Sequence, residues 1–126
     1  MKELKFYRCN HCGNIIQIVN DAGVIPFCCG ETVTLLVANT SDGASEKHMP
    51  VIIEEENSIK VQVGEVIHPM LPEHHIEWIY LQTRSGGQLK YLSVEDSPIV
   101  EFLLINDQII AAYEYCNLHG LWKYEN

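Results

Sequence analysis

Apolar and polar residues alternate along much of the chain after about residue 50. Residues 59–63 alternate strictly, which is the period of a half-buried β-strand. Residues 76–83 form a β-rich run that leads into a glycine-containing hairpin signal at residues 84–87. The remaining predicted strands of this part are residues 51–55, 88–94, 99–105, 108–115 and 121–124. About seven short strands with frequent turns favour an all-β, antiparallel sandwich, and no segment keeps a helical period over three turns.

The first 37 residues follow a different pattern, because large apolar residues are few between Phe6 and Cys29. A segment this short needs an additional staple, and a bound metal is the usual one. Residues 20–23 predict a turn between two short strands, and residues 32–38 predict a further strand. We therefore expect a small domain, residues 1–37, followed by a larger β-domain, residues 38–126.

Composition excludes several classes of protein. The chain has 126 residues, of which 47% are hydrophobic and 20% charged, so it is not disordered as a whole. Its 8 basic and 17 acidic residues give a net charge of −9, which argues against a nucleic-acid partner. No apolar run approaches the ~20 residues of a membrane span, and the N-terminal residues lack the apolar core of a secretory signal. We expect a cytoplasmic protein without a membrane partner.

The cysteine pattern points to a metal. The five cysteines are an odd number, and cytoplasmic thiols are reduced, so metal binding is favoured over disulfides. Cys9 and Cys12 have chelating C-x-x-C spacing, in which backbone N–H groups point at the sulfurs. The adjacent Cys28 and Cys29 normally project in different directions, so the backbone there must bend sharply, helped by Gly30.

Four thiolates in a short segment suit a tetrahedral zinc or iron site, and the spacing does not separate the two metals. A strained disulfide between the adjacent cysteines and a purely structural zinc knuckle are the alternatives. His11 lies between two expected ligands and is expected at the surface.

A second set of metal-binding residues lies in the larger domain, at the ends of predicted strands or in loops. It comprises His48, His68, His74, His75, Cys116 and His119. A single histidine is more often a surface residue than a ligand, but Cys116-x-x-His119 places a thiolate and an imidazole at chelating spacing. A site rich in imidazole with one thiolate suits iron or copper better than magnesium or calcium. The alternative is a Cys–His nucleophile pair, which leaves the other histidines without a role.

Together the two sets resemble desulfoferrodoxin, the two-iron form of the superoxide reductase family, over the whole chain. The cysteines resemble those of its desulforedoxin-like N-terminal domain. The matching motifs of its catalytic domain, in chain order, are Glu46-Lys47-His48, His68-Pro69-Met70, His74-x-Ile76-x-Trp78 and Cys116-Asn117-x-His119-Gly120. The resemblance implies that the larger domain is an immunoglobulin-like β-sandwich.

The resemblance also implies two irons per chain. One would be held by Cys9, Cys12, Cys28 and Cys29. The other would have four equatorial imidazoles and one axial thiolate, from His48, His68, His74, His119 and Cys116. The family pattern selects His74 over His75 as the ligand. Five protein ligands leave one octahedral position open, as a catalytic metal requires.

The implied activity is the one-electron reduction of superoxide to hydrogen peroxide, with re-reduction by an external donor such as rubredoxin. The resemblance further implies a homodimer. Lys47 would attract the anionic substrate locally, against the negative charge of the whole chain, and orient water for protonation. Glu46 is similar to the family glutamate that occupies the open position once the iron is ferric. Trp78 and Trp122 are expected in the core. The alternatives are an electron-transfer or iron-binding protein without turnover, and a zinc-stapled interaction module.

Overall fold

A computed structural model describes residues 3–41 and 43–126 and divides the chain into two compact units, Met1–Val37 and Ala38–Asn126. The strands of the first unit are β1 (Phe6–Arg8), β2 (Ile15–Gln17), β3 (Phe27–Cys28), β4 (Glu31–Thr32) and β5 (Thr34–Leu35). They form an antiparallel sheet of order β2-β1-β5 and a β3–β4 hairpin. A small buried cluster of Tyr7, Cys9 and Val33 lies beneath them, in keeping with the few apolar residues of this segment.

The second unit begins with one helical turn, α1 (Ser45–His48). Its strands are β6 (Pro50–Glu55), β7 (Ser58–Val63), β8 (Ile76–Thr83), β9 (Gly87–Tyr91), β10 (Ile99–Leu103), β11 (Ile109–Cys116) and β12 (Gly120–Glu125). They form two antiparallel sheets, β10-β7-β6 and β12-β11-β8-β9. The predicted all-β fold with an immunoglobulin-like sandwich is confirmed.

The core of the sandwich comes from the inward positions of four strands. Val61 and Val63 of β7 and Phe102 of β10 meet Leu81 of β8 and Ala112 of β11, and all five are fully buried. The strict alternation that predicted β7 is visible in its burial, since every second residue from Ile59 to Val63 is buried. Apolar burial of this kind, at roughly 25 cal/mol per Å², is the main stabilising contribution to the unit.

Some strands are shorter than predicted, and after β9 a side chain captures a backbone group. The strand predicted over residues 88–94 ends at Tyr91, and the Ser93 N–H then donates to the Asp96 carboxylate at 2.8 Å. The strand predicted over residues 32–38 divides into β4 and β5. Within the described residues, no helix is long and apolar enough to cross a membrane.

The β7–β8 connection packs closely against α1, which ends at the first histidine of interest. The Val66 N–H donates to the Glu46 carbonyl at 2.8 Å. A Cβ added to Gly64 would lie 2.6 Å from the Glu46 carbonyl oxygen and 2.6 Å from the Lys47 carbonyl carbon. Only glycine allows this approach without a backbone shift, so the connection fixes the position of the helical turn.

Candidate metal centres

Five predicted ligands of the second unit converge at one end of the sandwich. Their donor atoms, from His48, His68, His74, Cys116 and His119, all lie within 4.8 Å of one another. His48 is the last residue of α1, the β7–β8 connection carries two of the histidines, Cys116 ends β11, and His119 lies in the turn before β12. The fold therefore brings together groups that are up to 71 residues apart in the chain.

The four imidazoles form a closed ring of neighbours. Ring centroids are 4.6 Å apart for His48–His68 and for His68–His74, 5.0 Å for His74–His119, and 4.8 Å for His48–His119. Each of these pairs is close to perpendicular, with interplanar angles from 77° to 90°. The opposite pair, His48 and His74, is 6.2 Å apart. Four nitrogens arranged in this way can surround a single ion.

Hydrogen bonds fix which ring nitrogen of two histidines carries the proton. The Nδ1 atom of His48 lies 2.9 Å from the Ala44 carbonyl oxygen, and that of His68 lies 2.7 Å from the Pro69 carbonyl oxygen. Carbonyls only accept, so each Nδ1 is the donor and each neutral ring presents a bare Nε2 lone pair. Backbone carbonyls commonly orient metal-ligating histidines in this way.

The spacing of the donor atoms fits a bound cation. The Nε2 atoms of His48 and His68 are 3.1 Å apart, and the His48 Nε2 is 3.0 Å from the His119 Nδ1. Two bare lone pairs at this distance repel each other, whereas two nitrogens about 2.1 Å from one ion and at right angles lie about 3 Å apart. The buried Nε2 of His74 has no hydrogen-bond partner among the described residues. A metal ion would satisfy all four nitrogens.

Burial favours the neutral form of three of these imidazoles. It lowers the pKa of His48 and His74, and lowers the pKa of His68 to about 4. Neutral imidazole is the form that binds metals. The positive charge of Lys47 is a lesser cause of the lowered pKa of His48 and His74, so its field reaches the cluster.

Cys116 lies beside the ring of imidazoles. It is fully buried, and its Sγ is 3.6 Å from the His68 Nε2 and 3.9 Å from the His119 Nδ1. Burial raises the pKa of this thiol, while the backbone N–H groups of His119 and Leu118 favour the thiolate. Four imidazoles and one thiolate exceed the four ligands of a structural zinc site and suit iron. Complete burial disfavours a nucleophilic Cys–His pair.

Glu46 and Lys47 are both exposed on α1, next to His48. The donor group contains no carboxylate from the described residues. Glu46 instead lines a groove of about 540 Å³ together with Met49, Glu65 and Tyr124, among others. His75 is also outside the donor group, and its Nδ1 lies 2.9 Å from the Leu71 carbonyl oxygen. The structure therefore brings His74, and not His75, to the site.

Trp122 has a role beyond the core position that the sequence predicts. It is 4% exposed, and its ring stacks on His48 with centroids 5.0 Å apart and an interplanar angle of 27°. Its Nε1–H donates to the His119 carbonyl oxygen at 3.2 Å, and the Ser41 hydroxyl donates to the same oxygen. Trp122 thus contacts two expected ligands. The sequence feature that could have indicated these contacts is the position of Trp122, three residues after His119 on the strand that follows the turn.

Glu114 is a buried acid that sequence reasoning did not single out. It lies on β11 two residues from Ala112 of the core, and its carboxylate oxygens have no hydrogen-bond partner among the described residues. Burial raises its pKa well above the usual range, which favours the neutral carboxylic acid. The sequence feature that could have identified this buried acid is its position within a strand whose other residues are apolar or aromatic.

The four cysteines of the first unit form a second donor group. Their sulfurs, from Cys9, Cys12, Cys28 and Cys29, lie within 4.8 Å of one another, and all are free thiols. Cys28 ends β3, and Cys29 and Gly30 form the two-residue turn to β4 with φ of 53° and 78°. Positive φ at both turn residues is typical of a type I′ hairpin. The predicted sharp bend is confirmed, and it brings the adjacent sulfurs 4.0 Å apart.

Backbone N–H groups point at the first of these sulfurs, as the knuckle spacing predicts. The N–H groups of Cys12 and His11 lower the pKa of the Cys9 thiol to about 6. Hydrogen bonds with the neighbouring sulfurs of Cys9, Cys12 and Cys28 favour the protonated Cys29 thiol and raise its pKa to about 12. A bound cation would take the place of that proton. His11 is exposed, as expected, and its Nε2 lies 3.2 Å from the Glu31 Oε2.

Comparison with known proteins gives consistent matches. The desulfoferrodoxin family model matches residues 40–125, and the model of the desulfoferrodoxin N-terminal domain matches residues 1–36. The desulfoferrodoxin of Nitratidesulfovibrio vulgaris is 46% identical over 123 residues, which are 98% of this chain and 97% of that protein. The superoxide reductase of Pyrococcus abyssi is 36% identical over 105 residues, with 68% of this chain and 90% of that protein covered. The crystal structure of the superoxide reductase from Treponema pallidum matches with a TM-score of 0.84 and 42% identity, over 98% of this chain and 100% of that chain.

Proposed function

This chain belongs to the desulfoferrodoxin family, as its motifs predict, and we propose that it is a superoxide reductase. The observation that carries the proposal is the set of four imidazoles and one thiolate whose donor atoms lie within 4.8 Å of one another. An interaction module has no use for such a set.

Two irons per chain fit the two donor groups. In the second unit the iron would be held by His48, His68, His74, His119 and Cys116. In the first unit it would be held by Cys9, Cys12, Cys28 and Cys29. When bound at the histidine–cysteine site, ferrous iron supplies one electron to superoxide, which takes up two protons and leaves as hydrogen peroxide. We assign catalysis to residues 38–126 and a stapling role to the cysteine site of residues 1–37, whose buried core is small.

The chain's own residues would bind and orient the substrate. Lys47 is exposed beside the buried His48, and its ammonium would attract an anion at short range although the chain carries a net charge of −9. It would also orient a water molecule that delivers a proton. Glu46 would supply a carboxylate to the site after oxidation. The Pro69 carbonyl would hold the His68 ring in place through its Nδ1–H.

A separate electron donor must return one electron after each turnover, and we propose a rubredoxin-like protein for this role. We place the reaction in the cytoplasm, because all five thiols are free and a reducing compartment keeps them available for metal.

We further propose that the chain forms a homodimer through its first unit. Val24 is 77% exposed, Phe27 72% and Ile25 49%, which is a large apolar surface for so short a segment. Exposed apolar groups of this size commonly mark protein–protein contacts.

The proposal is tested by metal content and visible spectra before and after ferricyanide, together with the products formed from superoxide. We expect about two irons per chain, a thiolate-to-iron band that appears only on oxidation, and one hydrogen peroxide for each superoxide consumed. In Cys116→Ser this band should vanish, while the bands of the cysteine site remain as an internal control. Survival of the band would contradict the thiolate assignment. Bound iron without superoxide turnover would favour an electron-transfer or iron-binding protein. Bound zinc in a colourless protein would favour a zinc-stapled interaction module.

A further inference from the structure

Asn117 lies between the two expected ligands Cys116 and His119 and bonds to both neighbours of a third, His74. Its Oδ1 accepts the His75 N–H at 2.8 Å. Its Nδ2 donates to the Glu73 carbonyl oxygen at 3.1 Å. Its backbone N–H donates to the His75 carbonyl oxygen at 3.1 Å. One residue of the β11–β12 turn thus holds the loop on each side of His74, across more than 40 positions in sequence.

The loop around His74 makes other bonds, but these fold it on itself. The Leu71 N–H donates to the His74 carbonyl oxygen at 2.9 Å, and the His74 N–H donates to the Leu71 carbonyl oxygen at 3.1 Å. Both bonds lie within the β7–β8 connection. They fix the local shape of the loop without setting its distance from Cys116, which belongs to another strand. The β8–β11 ladder pairs Cys116 with Ile76, after the loop, and the three bonds of Asn117 extend the connection to the residues on each side of His74.

His74 also differs from two other histidines in how its ring is aimed. His48 and His68 each use a ring nitrogen to bond a backbone carbonyl. Within the described residues, the His74 ring makes no such bond to a backbone carbonyl, and its buried Nε2, which would face the ion, has no hydrogen-bond partner. The placement of this imidazole therefore depends more strongly on the position of its backbone, and Asn117 bonds that backbone on both sides.

We infer that Asn117 is a positioning residue that fixes His74 relative to Cys116 and His119, so that the donor atoms stay close enough to share one ion. The inference rests on the proposed metal-binding function of this cluster. Outer hydrogen-bond partners of metal ligands typically change metal affinity by 10–100-fold when they are replaced. Loss of the Asn117 bonds should therefore loosen the histidine–cysteine site and leave the cysteine site of the first unit unchanged.

The test measures iron release from the holoprotein to a chelator, followed by loss of the band that appears on oxidation. We expect Asn117→Ala to release this iron about tenfold faster or more and to shift the band. Asn117→Asp keeps an acceptor for the His75 N–H but places an oxygen against the Glu73 carbonyl, so its release should also exceed that of the unaltered protein. The bands of the cysteine site should decay at the unaltered rate in both variants.

Gln88 offers a matched control, because its side-chain Nε2 donates to the Leu103 carbonyl oxygen at 2.8 Å. Gln88 lies on β9 and Leu103 ends β10, and neither strand carries an expected ligand. Gln88→Ala removes this bond, and Gln88→Glu places an oxygen against the Leu103 carbonyl. Neither variant should accelerate iron release.

Equal iron release from Asn117→Ala and the unaltered protein, or equal acceleration in the Asn117 and Gln88 variants, would overturn the inference. Should Asn117→Ala fail to fold, Asn117→Asp against Gln88→Glu decides the question by the same comparison. Because metal release is measured separately from superoxide turnover, a chain that holds the iron and consumes no superoxide would fail the proposed function alone.

Discussion

Lys47 is the residue whose charge bears most directly on the proposed reaction. It is exposed next to the buried His48, and its positive charge contributes to the lowered pKa of His48 and His74. We expect Lys47→Ala to slow the second-order reaction with superoxide by about tenfold at low ionic strength. The rate should also depend less on salt, because a screened attraction has been removed.

Pulse radiolysis over a range of salt concentrations measures both effects. Lys60→Ala is the control, since Lys60 is an exposed lysine of β7 that lies 3.3 Å from Glu55 and has no place near the histidine cluster. A rate and a salt slope that match those of the unaltered protein would remove the steering role of Lys47.

A second prediction for a single residue concerns Asp107 and the stability of the folded protein at low pH. Its carboxylate accepts hydrogen bonds from the Ser85 hydroxyl at 2.6 Å and from the Gln108 N–H at 2.9 Å. The hydroxyls of Ser85 and Thr83 are the main causes that lower its pKa from 3.8 to about 2. A depressed pKa in the folded state means that this stabilisation is complete above about pH 4 and is lost as the pH falls towards 2.

Asp107→Asn should therefore be less stable than the unaltered protein at pH 5, and the difference should shrink by pH 2. Urea unfolding of Asp107→Asn and of the unaltered protein at pH 5, 3 and 2 measures this difference in the free energy of unfolding. The pH dependence that comes from the metal ligands is common to both proteins and cancels in the comparison. A difference that stays constant with pH would show that the ionised carboxylate is not the stabilising form.

The role of a single residue could be predicted where the residue belongs to a sequence motif. It could be predicted less well where the role depends on contacts that form only in the fold. Cysteine and histidine types, partly at chelating spacing, indicated both sets of candidate ligands before the fold was known, and the family resemblance selected His74 over His75. Trp122 was expected only as a core residue, because its stacking on His48 depends on how β12 returns past α1. The buried acid Glu114 follows the same rule, since its environment comes from the facing sheet.

The β7–β8 connection and α1 form the element pair on which His48 depends. A Cβ on Gly64 would come 2.6 Å from the Glu46 carbonyl oxygen, and a backbone neighbour cannot turn away as a flexible side chain can. We expect Gly64→Ala to destabilise the protein by about 1–3 kcal/mol and to accelerate iron loss from the histidine–cysteine site, because α1 must shift to make room.

Thermal unfolding and iron release measure the two effects. Gly86→Ala is the matched control, because an added Cβ there has no neighbour within 4 Å. If Gly64→Ala and Gly86→Ala behaved alike, close packing of the connection on α1 would not be what holds His48.

Strands were predictable from their period, and their ends were not. The run over residues 76–83 matches β8 without change, because aromatic and β-branched residues, which favour strands, occur along most of its length. The prediction for residues 88–94 overran β9, since the Asp96 carboxylate takes the Ser93 N–H out of the ladder. Side-chain to backbone bonds of this kind compete with the sheet and leave little trace in hydrophobic pattern.

At the scale of the whole molecule, the two units differ in what stabilises them. The second unit buries a continuous core between two sheets, which a sandwich of this size can do alone. The first unit has a small core and four free thiols that share one donor group. Under our proposal, a metal at those thiols supplies the stability that apolar burial does not, and the exposed apolar residues of the unit contact a second chain.

The homodimer proposal makes the prediction at this scale. Val24 is 77% exposed and lies outside the strands of the first unit, so a charged residue there should leave the unit folded. We expect Val24→Glu to convert a dimer into a monomer in sedimentation velocity, because two glutamates would then face each other across an apolar contact. The spectrum of the cysteine site should stay unchanged, which shows that the unit remains folded. Ile105→Glu is the control, since Ile105 is 67% exposed but belongs to the second unit. A Val24→Glu protein that still sediments as a dimer would rule out this face, and dissociation by Ile105→Glu would place the contact on the sandwich.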